Sequence, residues 1–326
     1  WAVKHGMLDA TGDYRVEANG LLIVDDAVTG ANISLVSDGG GIRLLNSVGS
    51  GGTTNAVLSA SATIEQISGT VQATNVGLDG NNIGTSGNSV DTNATNLTID
   101  AEGNAYVQDA DGVTLVNSVT ATAANDSVTG NDANGDYRVV AGGNLTVSDD
   151  VTGGDINLTT TGGDITLNNS VGDAGTVDTV LSATGNLVQN GGSVQATNLG
   201  LDATDIGSAA NSFDTNVTNL AIDSEGNAYV EDADGVTLVN LVLATSANVP
   251  VIGNDATGDF RVEANGDLTV SDDVTGGDIT LEADGGNLTL NNSVGDAGTV
   301  DAVLMATGNL VQNGGTLTAA NLGLDG

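Results

Sequence analysis

The sequence predicts an all-β protein, a right-handed parallel β-helix, and three observations carry the prediction. Short runs of alternating aliphatic and polar residues, such as LTV at 268–270 and LTL at 288–290, are typical of strands. The segments between such runs are rich in Gly, Asp, Asn and Ser, which favour tight turns. The chain also repeats itself along its length. A parallel β-helix accommodates all three, because each short strand pairs with the strands one coil above and below it.

The repeat has a period of 123 residues: TGDYRVEANG at Thr11 returns as NGDYRVVAGG at Asn134 and TGDFRVEANG at Thr257. Residues 134–203 and 257–326 share 52 identities in 70 positions without a gap. We therefore expect one continuous solenoid, in which coils of roughly 20 residues give about six coils per copy and roughly sixteen in all. Its predicted parts are an N-terminal cap or docking segment at 1–10, copy 1 at 11–133, copy 2 at 134–256 and a partial copy 3 at 257–326.

The strands of each copy are predicted to be short, with one exception. Residues 236–243, VTLVNLVL, form a longer apolar run that is predicted as a single strand. Within every strand we expect the aliphatic side chains to point inward and the intervening Thr, Asn, Ser and Asp to point outward.

Two other classes of structure compete with the β-helix. A β-sandwich of immunoglobulin-like repeats would need longer strands, an aromatic core residue in each domain and more Pro than the single one present. Disorder suits an acidic chain with 48 Gly, but the regularly spaced aliphatic pairs argue against it. With only 4 Tyr, 2 Phe and 1 Trp, the composition favours a thin aliphatic core.

The charge balance excludes some partners. The chain has 42 acidic and 5 basic residues, a formal net charge of −37. Phosphate binding depends on Lys and Arg, so nucleic acid is not an expected partner. The sequence lacks a long apolar run, so membrane insertion is not expected either. High negative charge keeps a β-rich surface soluble and attracts divalent cations, which suits an extracellular or cell-surface location.

Catalytic groups are scarce in this sequence. It has no Cys and one His, His5, which lies outside the repeat. Because neither a triad nor a histidine metal cluster can be assembled, we expect no enzymatic activity. The acidic residues recur at the same turn positions in successive copies, which is typical of a structural role. A polysaccharide-active β-helix and an ice-binding face of Thr rows remain as further alternatives.

Several acidic turns are candidate calcium sites. D-x-D-G occurs at 109–112 and again at 232–235, and D-x-N-G-D occurs at 132–136. Alternating oxygen ligands are what a hard cation such as Ca²⁺ prefers, although solvated turns explain the same residues. The candidate ligands are Asp109, Asp111, Asp232, Asp234, Asp132, Asn134 and Asp136.

An Arg follows an aromatic residue at the same place in every copy, and these pairs could serve in two ways. The guanidinium groups could neutralise the acidic turns, or each pair could contact a carbohydrate or a partner. The three pairs are Tyr14 with Arg15, Tyr137 with Arg138, and Phe260 with Arg261.

Several phrases carry a resemblance to a known family: GGDITLEADGGNLTLNNSVG, VLSATGNLVQNGGSVQATNLGLDA and TNLAIDSEGNAYVEDADGVTL. Over residues 11–326 the chain resembles the repeat region of filamentous haemagglutinin-type bacterial surface exoproteins, the two-partner-secretion and autotransporter-like β-helix adhesins. The resemblance implies a secreted structural or adhesive protein that forms a stiff acidic rod, with a host or neighbouring cell surface as its partner. The alternative is a filament subunit that assembles with itself end to end.

Overall fold

The computed structural model describes residues 2–3, 8–121, 126–244 and 249–326. Over these ranges the chain forms strands and turns without a helix, and nearly all strand pairings are parallel. The structure confirms the predicted all-β parallel β-solenoid. Residues 1 and 4–7 of the predicted cap at 1–10, and with them His5, lie outside the described residues.

The strands fall into two compact units, which are described separately. The first comprises Trp1–Gly154 and Thr160–Gly162. Its strands are β1 Ala2–Val3, β2 Leu8–Asp9, β3 Asp13–Ala18, β4 Leu22–Val24, β5 Val28–Thr29, β6 Asn32–Ser37, β7 Ile42–Leu44, β8 Val48–Gly49, β9 Asn55–Gln66, β10 Val71–Ile83, β11 Val90–Ala101, β12 Ala105–Asp109, β13 Val113–Leu115, β14 Ser118–Ala121, β15 Asp126–Thr129, β16 Asn131–Ala133, β17 Asp136–Ala141, β18 Leu145–Val147 and β19 Val151–Thr152.

The second unit comprises Asp155–Thr159 and Gly163–Gly326. Its strands are β20 Asp155–Thr160, β21 Ile165–Leu167, β22 Asp178–Ala183, β23 Leu187–Gln189, β24 Val194–Ala203, β25 Phe213–Ser224, β26 Ala228–Asp232, β27 Val236–Leu238, β28 Leu241–Ala244, β29 Val249–Ile252, β30 Asn254–Ala256, β31 Phe260–Ala264, β32 Leu268–Val270, β33 Val274–Thr275, β34 Asp278–Ala283, β35 Leu288–Leu290, β36 Asp301–Ala306, β37 Leu310–Gln312 and β38 Asn321–Asp325.

The core of each unit is a stack of aliphatic side chains. In the first unit Ile33 of β6 lies beside Ala56 of β9, which in turn lies beside Val76 of β10. All three are 0% exposed. The expected alternation is confirmed in three-residue strands such as Leu268–Val270, where both aliphatics are buried and the central Thr is half-buried. It is wrong for Asp109 and Asp232, which lie at inward positions of β12 and β26 and are buried. The parallel register therefore keeps every inward position in contact with its counterparts in the neighbouring coils.

A ladder of Asn side chains also joins successive coils, and the sequence analysis did not predict it. Asn55 donates an amide hydrogen bond to Asn32 (2.7 Å), Asn75 to Asn55 (2.8 Å), and Asn96 to Asn75 (2.7 Å). Asn55 and Asn75 each donate one of these bonds and accept another, so the ladder links the corners of successive coils. The corresponding ladder of the second unit consists of Asp178, Asn198 and Asn219.

The prediction of one strand at 236–243 is wrong. Strand β27 pairs in parallel within the coil, but β28 leaves the coil and forms an antiparallel hairpin with β29. The first unit has the same hairpin 123 residues earlier, built from β14 and β15. The apolar run is longer than one strand because it supplies inward residues first to the coil and then to a hairpin that packs on its outer face.

The hairpins also explain the number of turns. The solenoid has about 14 turns, against the sixteen that coils of equal length would give. Where a hairpin intervenes, the paired strands of neighbouring coils are farther apart in the sequence: Asp100 pairs with Asp132, and Asp223 pairs with Asp255. Because the hairpin residues lie between the two members of each pair, each full copy contains fewer coils than its length predicts.

Candidate functional site

Two of the candidate calcium ligands, Asp109 and Asp232, are buried carboxylates, 1% and 0% exposed. One oxygen of Asp109 accepts hydrogen bonds from the Thr92 hydroxyl (2.7 Å) and the Ala94 backbone N–H (2.9 Å). The other accepts from the backbone N–H of Asp111 at 3.2 Å. Each carboxylate oxygen is thus engaged within the protein, and the group ties the turn after β12 to strand β11.

Asp232 repeats this arrangement in the second unit. It accepts hydrogen bonds from Thr215 (2.8 Å), the Val217 N–H (3.0 Å) and the Asp234 N–H (3.2 Å). Burial raises the pKa of Asp232, while the three hydrogen bonds act in the opposite direction. In the D-x-D-G pattern the first Asp, Asp232, is therefore buried and holds the turn against the neighbouring strand. The second, Asp234, lies on the exposed turn.

The third candidate, at 132–136, has its side chains engaged at separate places. Asn134 donates to the backbone carbonyl of Glu102 at 2.9 Å. Asp136 accepts a hydrogen bond from the Tyr106 hydroxyl. Within the described parts of the chain, no three His, Cys, Asp or Glu side chains converge as metal ligands would. Calcium binding at the predicted residues stays a prediction.

Acidic side chains do form columns along the stacked strands. Asp79 pairs in register with Asp100, and Asp100 pairs with Asp132. Burial, followed by the charges of Asp132, Asp79 and Glu102, raises the pKa of Asp100 to about 6. The second unit repeats the column with raised pKa values at Asp223 and Asp255. Stacking like charges at strand spacing costs stability at neutral pH.

A polar surface groove also recurs at the repeat period. One groove of about 290 Å³ lies in the first unit and one of about 220 Å³ lies in the second. Their linings combine amides and hydroxyls with one carboxylate in the first groove and two, Asp173 and Asp234, in the second. These groups can form hydrogen bonds to a polar ligand but offer no aromatic surface. The matching residues are Gln72, Thr74, Asn93, Thr95 and Asp111 in the first groove, and Gln195, Thr197, Asn216, Thr218 and Asp234 in the second.

The Arg and aromatic residues that neighbour each other in sequence lie on opposite sides of their strands. Tyr137 and Phe260 are 0% exposed in the core, whereas Arg261 points outward and forms an ion pair with Glu263. Arg15 pairs with Glu17 at 2.6 Å and with Asp126 of the first hairpin at 3.0 Å. The guanidinium groups of Arg15 and Arg261 thus neutralise carboxylates and do not stack on the preceding ring.

The surface on which the hairpins lie was not predicted from the sequence. In the first unit the hairpin packs over Val57, which is 0% exposed although it points away from the coil interior. In the second unit the hairpin packs over Val180 in the same way. A signal was available, because Val57 and Val180 occupy outward positions where the strand pattern expects polar residues.

Comparison of the chain with protein-family models, curated proteins and solved structures found no match. In the described residues no helix has the length and apolar character needed to cross a membrane.

Proposed function

We propose that this chain is an extracellular structural and adhesive repeat protein of a bacterial surface, acting without catalysis. The observation that carries the proposal is the recurrence of the same polar groove 123 residues apart, around Asp111 and again around Asp234. Repeated weak sites on one chain engage a surface more tightly than any one of them alone. The partner is the surface of a host or neighbouring cell.

The surface chemistry supports an adhesive role over an enzymatic one. Acidic side chains line the outer columns, and the buried carboxylates Asp109 and Asp232 are engaged by the protein itself. Neither unit brings an acid together with a neighbouring Arg or Lys inside the polar grooves. The resemblance to filamentous haemagglutinin-type exoproteins adds support, because those proteins combine a β-helix with adhesion.

Antibody labelling and adhesion together test the proposal. Antibodies raised against the chain should label intact source cells, and the chain immobilised on beads should bind to cell surfaces in proportion to its density. Beads coated with an unrelated protein of equal charge are the control for nonspecific attraction. Labelling that needs permeabilised cells, or binding no better than the control, contradicts the proposal.

A filament that assembles end to end is the second candidate, because parallel backbone pairing joins each coil of the solenoid to the next and can join the coils of two molecules in the same way. Sedimentation velocity should show assembly that rises with concentration and is lost when Leu322 and Leu324 are both replaced by Lys. A single sedimenting species at all concentrations contradicts the filament.

Calcium is proposed as a bound ion only for the acidic turns named above. Titration calorimetry of Ca²⁺ into chelator-treated protein should show heat and a higher melting temperature if the turns bind it. If millimolar calcium produces neither heat nor a higher melting temperature, the acidic turns do not bind Ca²⁺.

A further inference from the structure

We infer that the outer face of the second hairpin, formed by Leu241, Leu243, Pro250 and Ile252, is a docking surface for a partner segment that presents aliphatic side chains flanked by Lys or Arg. These residues lie on β28 and β29, with Leu241 opposite Ile252 and Leu243 opposite Pro250. The surface shares no residue with the polar grooves, and the inference does not depend on their proposed role.

The two faces of this hairpin have different surroundings. The inner face packs on the coil in one buried cluster, which consists of Val180, Ala221, Val242, Ala244 and Val251. Successive side chains of a strand point to opposite faces, so the alternate residues point away from the coil. Among these, Leu241 and Ile252 are 51% and 55% exposed, Pro250 is exposed and Leu243 is half-buried. The hairpin is therefore apolar on both faces, although only one face is covered.

The first hairpin shows that packing on the coil does not require an apolar outer face. The residues that face the coil are identical in the two hairpins, since Val119, Ala121 and Val128 correspond to Val242, Ala244 and Val251 123 positions later. The outer positions all differ, and in the first hairpin they are polar: Ser118, Thr120, Ser127 and Thr129. Packing on the coil thus explains the inner residues only.

The exposure of the outer face follows from the way the hairpin lies on the coil. Strands β30–β38 come after the hairpin and continue the coil beyond it, yet they leave its outer face uncovered. The outer face of the first hairpin is exposed in the same way at Ser118, Ser127 and Thr129. An apolar face at this position stays in water until another molecule covers it, which is unfavourable and is typical of an interaction surface.

A column of carboxylates borders the hairpin. Gly200 lies beneath the hairpin, because a Cβ there would meet the Val251 side chain at 2.8 Å. Asp202 lies two residues farther along the same strand and therefore on the same face. It pairs in register with Asp223, which pairs with Asp255. Within the described ranges no ion pair neutralises these three side chains.

Charge selects the class of partner that fits. The hairpin has no charged residue between positions 239 and 253, so the nearby charge is that of the column. Burial, followed by the charge of Asp255 and of other carboxylates, raises the pKa of Asp223, and a cationic group would relieve that repulsion. A partner with Lys or Arg beside aliphatic side chains complements both features, whereas a second copy would bring two chains of formal charge −37 together.

Binding of designed peptides tests the surface. The probe is a fluorescently labelled peptide of sequence KKLVLVKK, which places Leu and Val between Lys residues. The matched peptides EELVLVEE and KKSTSTKK reverse the charge and remove the apolar side chains, respectively. We expect the chain to bind KKLVLVKK at least about tenfold more tightly than either matched peptide. Its affinity should fall as the salt concentration rises, because salt screens the attraction to the column.

Variants of the chain locate the binding site. Leu241→Ser combined with Ile252→Thr gives the second hairpin the residues of the first at these positions, so the fold should be kept. This double variant should weaken binding of KKLVLVKK by about tenfold or more. Asp223→Asn should weaken it by a smaller factor, because it removes one carboxylate of the column. Ile67→Ser removes a side chain that is 56% exposed in the first unit and should leave binding unchanged.

The inference is overturned if the unmodified chain does not bind KKLVLVKK, if it binds EELVLVEE equally well, or if the double variant binds as tightly as the unmodified chain. It is also overturned if the double variant abolishes self-association of the chain, or binding to phosphatidylcholine vesicles, in place of peptide binding. Those two results would assign the surface to a second copy of the chain and to a membrane, respectively.

Discussion

Single substitutions between the copies leave visible consequences in hydrogen bonding. Tyr137 in copy 2 donates its hydroxyl to Asn131 at 3.4 Å. The corresponding residues 123 positions later are Phe260 and Asn254, and the Asn254 side-chain oxygen is buried without a hydrogen-bond partner in the described chain. An unsatisfied buried oxygen costs stability, because it has lost its water without gaining a donor.

Phe260→Tyr should therefore stabilise the protein by about 1 kcal/mol, since it restores the missing donor. The reciprocal change, Tyr137→Phe, should destabilise it by less than about 1 kcal/mol, because the Asn131 oxygen keeps the Ile99 backbone N–H as a donor at 3.3 Å. Chemical denaturation of both variants and the unmodified protein measures the effect. Destabilisation by Phe260→Tyr would contradict the assignment of Asn254 as an orphaned acceptor.

The acidic column makes a prediction about pH. Asp100 has a pKa of about 6 when folded, above the value of 3.8 in the unfolded chain. The folded state therefore binds more protons between these values, and stability falls as pH rises through about 6. Because Asp100 is partly exposed, solvent screening reduces the loss to about 1 kcal/mol.

Denaturation at pH 4.5 and pH 7 tests this. Asp100→Asn should raise the unfolding free energy at pH 7 and flatten its pH dependence in this window. If Asp100→Asn leaves the pH dependence of the unfolding free energy unchanged, Asp100 does not titrate with a raised pKa in the folded protein.

At the scale of the elements, the coils are held together by side chains at their corners as well as by backbone pairing. Asn75 shows this best, because it donates to Asn55 and accepts from Asn96. The hairpins form the second kind of element, with their own apolar contacts on the outside of the coil.

Asn75→Ala should destabilise the protein by about 2 kcal/mol, because it removes two hydrogen bonds and leaves two partners unsatisfied. The exposed Asn81→Ala is the matched control and should change the unfolding free energy by less than about 0.5 kcal/mol. Thermal or denaturant unfolding compares them, and equal effects would remove the ladder from the account of stability.

The elements also show how far sequence reasoning reaches. The LTV and LTL runs correctly predicted coil strands, because the alternation of apolar and polar residues depends only on the local sequence. Such runs also recur along the chain, which strengthened the prediction. The hairpins were missed at residues 239–253 because β28 is as apolar as a coil strand; only its pairing partner, β29, distinguishes it. The inward role of Asp109 could not be predicted, since the D-x-D-G pattern is the same for a calcium turn and for a carboxylate that accepts Thr92 and backbone donors.

At the scale of the whole molecule, the proposed adhesive function depends on the repetition of one polar groove. The polar groove around Asp111 recurs around Asp234, in a chain with a formal net charge of −37. A charge of this size repels like-charged surfaces, so the proposed adhesion would depend on short-range polar contacts in the grooves. Several weak contacts acting together then give binding that depends steeply on the number of grooves.

Bead adhesion to cells with the unmodified chain, Asp111→Ala, Asp234→Ala and the double variant tests this claim most directly. Both side chains are exposed, so neither substitution should disturb the fold. We predict that each single variant keeps a substantial part of the binding, while the double variant loses far more than the sum of the two. Loss of all binding in one single variant, with the other unchanged, would show that one site acts alone and would contradict the account.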